Sequence, residues 1–95
     1  MMQHLPTLRV TMVAPEIAPF AKSGGLGDVL GSLPTALKQL GVQVSLVMPA
    51  YRSVLHGDWT LQDTGVRFTV PVSNRREEAS LLKTTLGNDI PVFLI

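Results

Sequence analysis

The chain contains no cysteine, which excludes disulfides and thiolate metal sites and fits a reducing compartment. Histidine is scarce as well: His4 and His56 stand alone, with no partner at ligand or catalytic spacing, so no bound metal is expected. No charge predominates, because 8 Lys and Arg against 7 Asp and Glu leave a net +1. The only adjacent basic pair, Arg75-Arg76, is followed by Glu77-Glu78. Phosphate backbones demand several unopposed cations, so a nucleic-acid partner is not expected. No apolar run approaches the roughly 18–20 residues of a membrane span. The leader MMQHLPT is too short and too polar for a signal peptide. These absences point to a cytoplasmic protein without a membrane partner, or a plastid one if the source is a plant, although no transit peptide is visible. Two nucleotide motifs are missing too. The Walker pattern fails because Lys22 precedes the glycines, and the run from Gly25 to Gly31 is one residue longer than the dinucleotide fingerprint.

What is present is core-forming. Apolar residues make up 45% of the 95 positions and charged residues 16%, the composition of a small globular unit, not of a disordered tail. Leu8–Ala14 is β-branched and largely apolar, the pattern of a strand covered on both faces. Pro15 and Pro19 make 15–23 a loop. Val29, Leu33, Ala36, Leu37 and Leu40 then form one apolar helical stripe, stopped by Gly41. Pro34 inside it predicts a kinked continuous helix, or a restart with Ser32 as cap. Val42–Met48 reads as a second buried strand, giving a βαβ unit. Residues 50–65 read as loop, Val66–Val72 as an alternating edge strand with Pro71, and Ser73–Glu78 as a polar connection. Ala79–Leu86 and Ile90–Ile95 read as strands around a Gly87-Asn88-Asp89 turn.

The segment APEIAPFAKSGGLGDVLGSLPTALKQLG, Ala14 to Gly41, carries the chemistry. A strand runs into a Pro-broken loop, then Lys22-Ser-Gly24-Gly25, then a helix with Asp28 in its first turn. By itself a Lys-x-Gly-Gly is an ordinary surface turn. Placed after a buried strand and at a helix start, it is where α/β folds bind anions: N–H groups face the ligand and Lys22 adds a full charge. Asp28 serves the helix dipole. Glu16 is either a solvated loop acid or a site-lining one. Tyr51 and Arg52 leave the second strand at the same sheet edge. Trp59 reads as packing a loop onto the sheet more than as stacking on a sugar.

KSGGLGDVLGSLPTALKQLG resembles the KTGGL–(A/G)DV–x–G–x–LP–x–AL signature of bacterial glycogen synthases and plant starch synthases. VTMVAPEIAPF and GVQVSLVMPAYR resemble the same family's first two strands, so the match is dense from Leu8 to Arg52 and weaker from Ser53. Ser23 stands where Thr is commoner, and Gly27 where Ala is. The resemblance implies an α/β, Rossmann-like N-terminal half-domain of a two-domain, GT-B-type glycosyltransferase. It implies glucosyl transfer from a nucleotide sugar (ADP-glucose) to the non-reducing end of an α-1,4-glucan, with no cofactor. It also implies that Lys22, Gly24, Gly25, Asp28 and Glu16 bind the donor. Another two-domain glycosyltransferase, or a non-catalytic α/β binding fragment, are the alternatives. Because the chain stops inside the apolar run Pro91–Ile95, residues 1–95 are expected to be an incomplete portion of the catalytic domain, partnered by the rest of its own chain. Alone it is expected to be inactive, with an unpaired sheet edge near Ile90–Ile95 and a tendency to self-associate.

Overall fold

A computed structural model describes residues 8–87 and 89–95; His4 lies outside them. The elements in chain order are β1 (Arg9–Val13), α1 (Gly25–Gln39), β2 (Gln43–Met48), α2 (Arg52–Leu55), β3 (Gln62–Val72), β4 (Arg75–Leu86) and β5 (Ile90–Leu94). The strands make one five-stranded sheet in the order β1-β2-β5-β4-β3. β1, β2 and β5 run parallel, whereas β4 is antiparallel to both β5 and β3. The Rossmann-like βαβ start is therefore present, and an antiparallel hairpin extends its sheet.

The core lies on one face. Val44, Leu46 and Met48 of β2 alternate inward with Ile90, Val92 and Leu94 of β5, and Leu30 of α1 closes over them. The other face stays open: Val13 is 77% exposed, and Thr11 meets Ser45 through a hydroxyl hydrogen bond of 3.0 Å. The expectation that the parallel strands are covered on both faces is thus wrong in this structure. Apolar runs without alternation conceal which face is packed.

α1 runs unbroken through Pro34, as the in-phase apolar positions predict, and Pro34 is among the fully buried residues. Ser32 does not cap a second helix; its hydroxyl donates to the Asp28 carbonyl at 2.9 Å. At the far end Gly41, at φ +86°, donates to the Lys38 carbonyl at 2.9 Å, and Val42 to the Leu37 carbonyl at 3.2 Å. Those two bonds form a Schellman motif, which needs the left-handed conformation glycine adopts freely. The expected stripe, however, is misplaced. Gly27, Leu30 and Pro34 are buried, with Leu37 packed beside them, while Val29, Leu33 and Leu40 are exposed.

Two strands are longer than the sequence indicates. β3 begins at Gln62, inside the expected loop, and β4 at Arg75, inside the expected polar connection. Only Ser73 and Asn74 separate them, with Ser73 at φ +59°. This hairpin leaves the body, giving extents of 56 × 26 × 24 Å. The stripe Val66, Phe68, Val70 and Val72 does share a face, but it is exposed. β3 is an edge strand, as Pro71 suggests. β5 is not. It lies between β2 and β4, and Ile95 continues the pairing by donating to the Met48 carbonyl at 3.2 Å. Among the described residues the unpaired edges belong to β1 and β3.

Candidate functional site

Parallel β1 and β2 end at one side of the sheet, so the connections that follow them, 14–24 and 49–51, emerge side by side. α/β folds place ligands at this carboxyl end. Loop 14–24 begins by diving into the core. Ile17 is fully buried, and its carbonyl accepts the N–H groups of Phe20 at 2.9 Å and Ala21 at 3.0 Å. Phe20, 7% exposed, meets Trp59 edge-on with ring centroids 4.8 Å apart and an interplanar angle of 63°. Trp59 therefore packs a loop onto the body, the reading its apolar neighbourhood favours.

The same loop sits flat on α1. Ala18 donates its N–H to the Gly27 carbonyl at 3.0 Å. A side-chain carbon at Gly31 would stand 2.8 Å from the Ala18 carbonyl oxygen, and one at Gly27 would stand 3.2 Å from Lys22 Cγ. The approach to backbone at 31 leaves no room for a Cβ, whereas at 27, four residues earlier on the same helix face, Lys22 need give by only a few tenths of an ångström. Sequence reading passed over both roles; the small-x-x-x-small spacing inside an amphipathic helix was the available signal.

The five residues singled out from sequence gather where this loop enters α1. Lys22 Nζ lies 3.0 Å from Asp28 Oδ1, with both side chains about half exposed (51% and 58%). A pair so solvated contributes about 0–1 kcal/mol, so a multiply charged ligand can compete for the lysine. The Ser23 hydroxyl donates to the Glu16 carboxylate across the loop. Gly24 is the N-cap of α1 and Gly25 its first residue, and no side chain caps the helix. The first N–H groups of the helix are thus left for solvent or a ligand. One cation faces two carboxylates here, so positive potential for an anion comes from the helix end together with Lys22 once it leaves Asp28.

Gly24 and Gly25 differ from Gly27 and Gly31. A Cβ at either would meet nothing within 4 Å, and Gly24 is extended at φ −165°, which any residue adopts. Nothing in the chain's own packing requires glycine at these two positions.

Tyr51 and Arg52 lie at the same end of the sheet and are exposed. Among the described residues no hydrogen bond or ion pair links them to Lys22 or Asp28. His56 is exposed, as expected. A hollow of about 400 Å³ around Arg9, Gln43, Lys38 and Asp89 lies at the opposite, amino end of the parallel strands, away from every candidate residue. Among the described residues no group of His, Asp or Glu side chains could hold a metal ion, and no helix is long and apolar enough to cross a membrane.

The family model for the starch synthase catalytic domain matches residues 9–95. Among curated proteins, the glycogen synthase of Syntrophotalea carbinolica is 39% identical over 93% of this chain and 18% of its own length. That of Nitrosospira multiformis is 47% identical over 98% of this chain and 19% of its own. A solved structure, the catalytic domain of starch synthase IV from Arabidopsis thaliana bound to ADP and acarbose, superposes with a TM-score of 0.84 at 28% identity. That match covers 95% of this chain and 18% of the plant one. The chain thus spans about a fifth of the length of the relatives it matches.

Proposed function

Because the chain belongs to the starch synthase catalytic-domain family, we propose that its loop–helix junction receives the diphosphate of a nucleotide sugar, with ADP-glucose as the donor. The single observation that carries this reading is the pair Gly24 and Gly25. Neither is demanded by backbone conformation or by neighbouring atoms. A ligand lying against the backbone supplies the missing reason for them. Lys22, half exposed and two residues before the helix cap, neutralises charge that grows on the diphosphate as the bond between glucose C1 and the phosphate oxygen breaks. The glucosyl group passes to the 4-hydroxyl at the non-reducing end of an α-1,4-glucan, whose proton leaves as the new bond forms. Asp28 parks the Lys22 ammonium until the donor arrives, and the Glu16–Ser23 hydrogen bond fixes the loop. This segment supplies donor recognition and electrostatic stabilisation. The general acid or base, the remaining nucleotide contacts and the second GT-B domain belong to the rest of a full-length synthase. Residues 1–95 alone turn over no glucose, and copies of the isolated chain associate through an open sheet edge.

The test uses a full-length glycogen synthase carrying residues 8–95 as its first segment. Lys22→Ala lowers donor kcat/KM by on the order of 10²–10³, equivalent to about 2.7–4 kcal/mol for a transition-state charge contact, with acceptor KM little changed. Gly24→Val or Gly25→Val removes activity while the thermal melt stays in place, since the added side chain meets open space in the fold. Wild-type donor kinetics in Lys22→Ala, or full activity in either valine variant, overturns the assignment.

A further inference from the structure

The placement of Lys22 depends on contacts made elsewhere, and they come from two sides. On one side is α1. The Ala18 N–H is tied to the Gly27 carbonyl at 3.0 Å, and the Ala18 carbonyl oxygen rests against Gly31 so closely that a Cβ there would stand 2.8 Å away. A contact of that length with backbone cannot be absorbed by a rotamer change; the loop or the helix must move. On the other side is the chain following α2. Trp59 presses edge-on against Phe20 at 4.8 Å, and its own ring is seated on Gly57, where a Cβ would meet Trp59 Cδ1 at 3.2 Å. Residues 17–21, and through them Lys22, are held between these two supports. Neither support reaches the ammonium group itself.

We infer that Gly31 and Trp59 are positioning residues for the donor site. They clamp loop 17–21 at the one height above α1 that puts Lys22 over the helix N-terminus, and thereby set affinity for a nucleoside diphosphate without touching it. This rests on the diphosphate reading of Lys22. The physical logic is preorganisation: a cation already at the ligand's position costs nothing to place when the ligand binds, and a misplacement on the order of 1 Å costs up to about 10²-fold. Gly31 is the more exacting of the two, since even alanine is too large there. Trp59 is replaceable by another ring that reaches Phe20.

The experiment is donor and acceptor kinetics in a full-length glycogen synthase carrying residues 8–95, with melting temperature followed in parallel. Gly31→Ala lowers kcat/KM for ADP-glucose by about tenfold and leaves acceptor KM unchanged. Trp59→Ala shifts donor kcat/KM in the same direction, and Trp59→Phe restores it. A purely structural role would lower the melting temperature without this split between donor and acceptor. On a Lys22→Ala background neither substitution lowers donor kcat/KM further, because each acts through the lysine. Folded Gly31→Ala and Trp59→Ala variants with unchanged donor kcat/KM overturn the clamp, and so do effects that multiply fully with that of Lys22→Ala. If Gly31→Ala does not fold, the Trp59→Ala and Trp59→Phe pair decides. A Lys22→Ala enzyme with normal donor kcat/KM instead removes the diphosphate reading, and the clamp falls with it.

Discussion

Asp63 and Arg67 illustrate how one short stretch can look like loop and serve as strand. Between Asp63 and Arg67 the register of β3 slips against β4, where Asp63 faces Leu82 and Arg67 faces Ser80. Gly65 takes φ +81° to allow the bulge. Its N–H donates to Asp63 Oδ1 at 2.9 Å, the Thr64 hydroxyl donates to the Leu81 carbonyl at 2.7 Å, and Arg67 grips both carboxylate oxygens at 3.0 and 2.7 Å. Asp-Thr-Gly is turn chemistry, which is why the segment reads as loop from sequence; its partners lie across the hairpin, where no local pattern points. The hydrogen bonds from Arg67 first, then from Gly65, hold the Asp63 carboxyl down to about 2. A carboxylate held below its unfolded value of about 3.9 stabilises the fold above that value and loses its contribution as pH falls through the folded one. Melting temperature should therefore drop between about pH 4 and pH 2 in the wild type, and Asp63→Asn should flatten that part of the profile. An unchanged profile in the variant would assign the acid sensitivity to another group.

α1 shows what apolar counting reads and what it misses. Start, stop and continuity follow from Gly24-Gly25, Gly41 and the in-phase apolar positions. Orientation does not, because the helix is apolar on two sides and the side that packs is lined by Gly27, Leu30 and Pro34. Glycine and proline count for little on a hydropathy scale, yet here they are contact surface. Leu30→Ala should cost about 2–4 kcal/mol by leaving a cavity against β2. Val29→Ala, at a position 49% exposed, should be neutral or slightly stabilising, since alanine is the better helix former. Denaturant melts of the two variants decide between the faces; equal losses would mean both are packed. The loop leading into α1 was more legible than the helix itself. Lys22, Gly24, Gly25 and Asp28 lie within one stretch of seven residues, so the sequence places them together with no tertiary information. Gly31 and Trp59 touch the loop only through folding.

At the scale of the whole molecule, strand order was the part least accessible from sequence. Local patterns locate β5 but do not say that it slips between β2 and β4, and the expected open edge at Ile90–Ile95 was wrong for that reason. The hairpin's polar stretches were misread because both its faces meet water, so alternation there no longer reports burial. Of the two real edges, β3 is broken by its bulge and Pro71, features that discourage pairing. Among the described residues no strand pairs with the outer side of β1, and Leu8 is 63% and Val13 77% exposed. Self-association of the isolated chain should run through β1. Val13→Lys should shift the sedimentation profile toward monomer at concentrations where the wild type associates, whereas Val70→Lys on the hairpin should not. A wild type that stays monomeric, or an unaffected Val13→Lys, would rule the β1 edge out.

The position of β5 also sets an order of events in synthesis. Among β1–β5 the strand at the middle of the sheet is the last to be synthesised, and until it emerges, β1–β2 and β3–β4 are two separate ribbons joined by the connection through α2. The β3–β4 ribbon can close early because its partners are neighbours across Ser73-Asn74, but the two ribbons share no ladder until residues 90–94 arrive to pair with both. A nascent chain halted before Ile90 therefore exposes both inner edges, of β2 and of β4, to whatever chaperone or neighbouring polypeptide is at hand. Insertion of five residues (Ile90–Leu94) then joins the two ribbons into one sheet, which makes β5 the strand on which the union of these two ribbons waits.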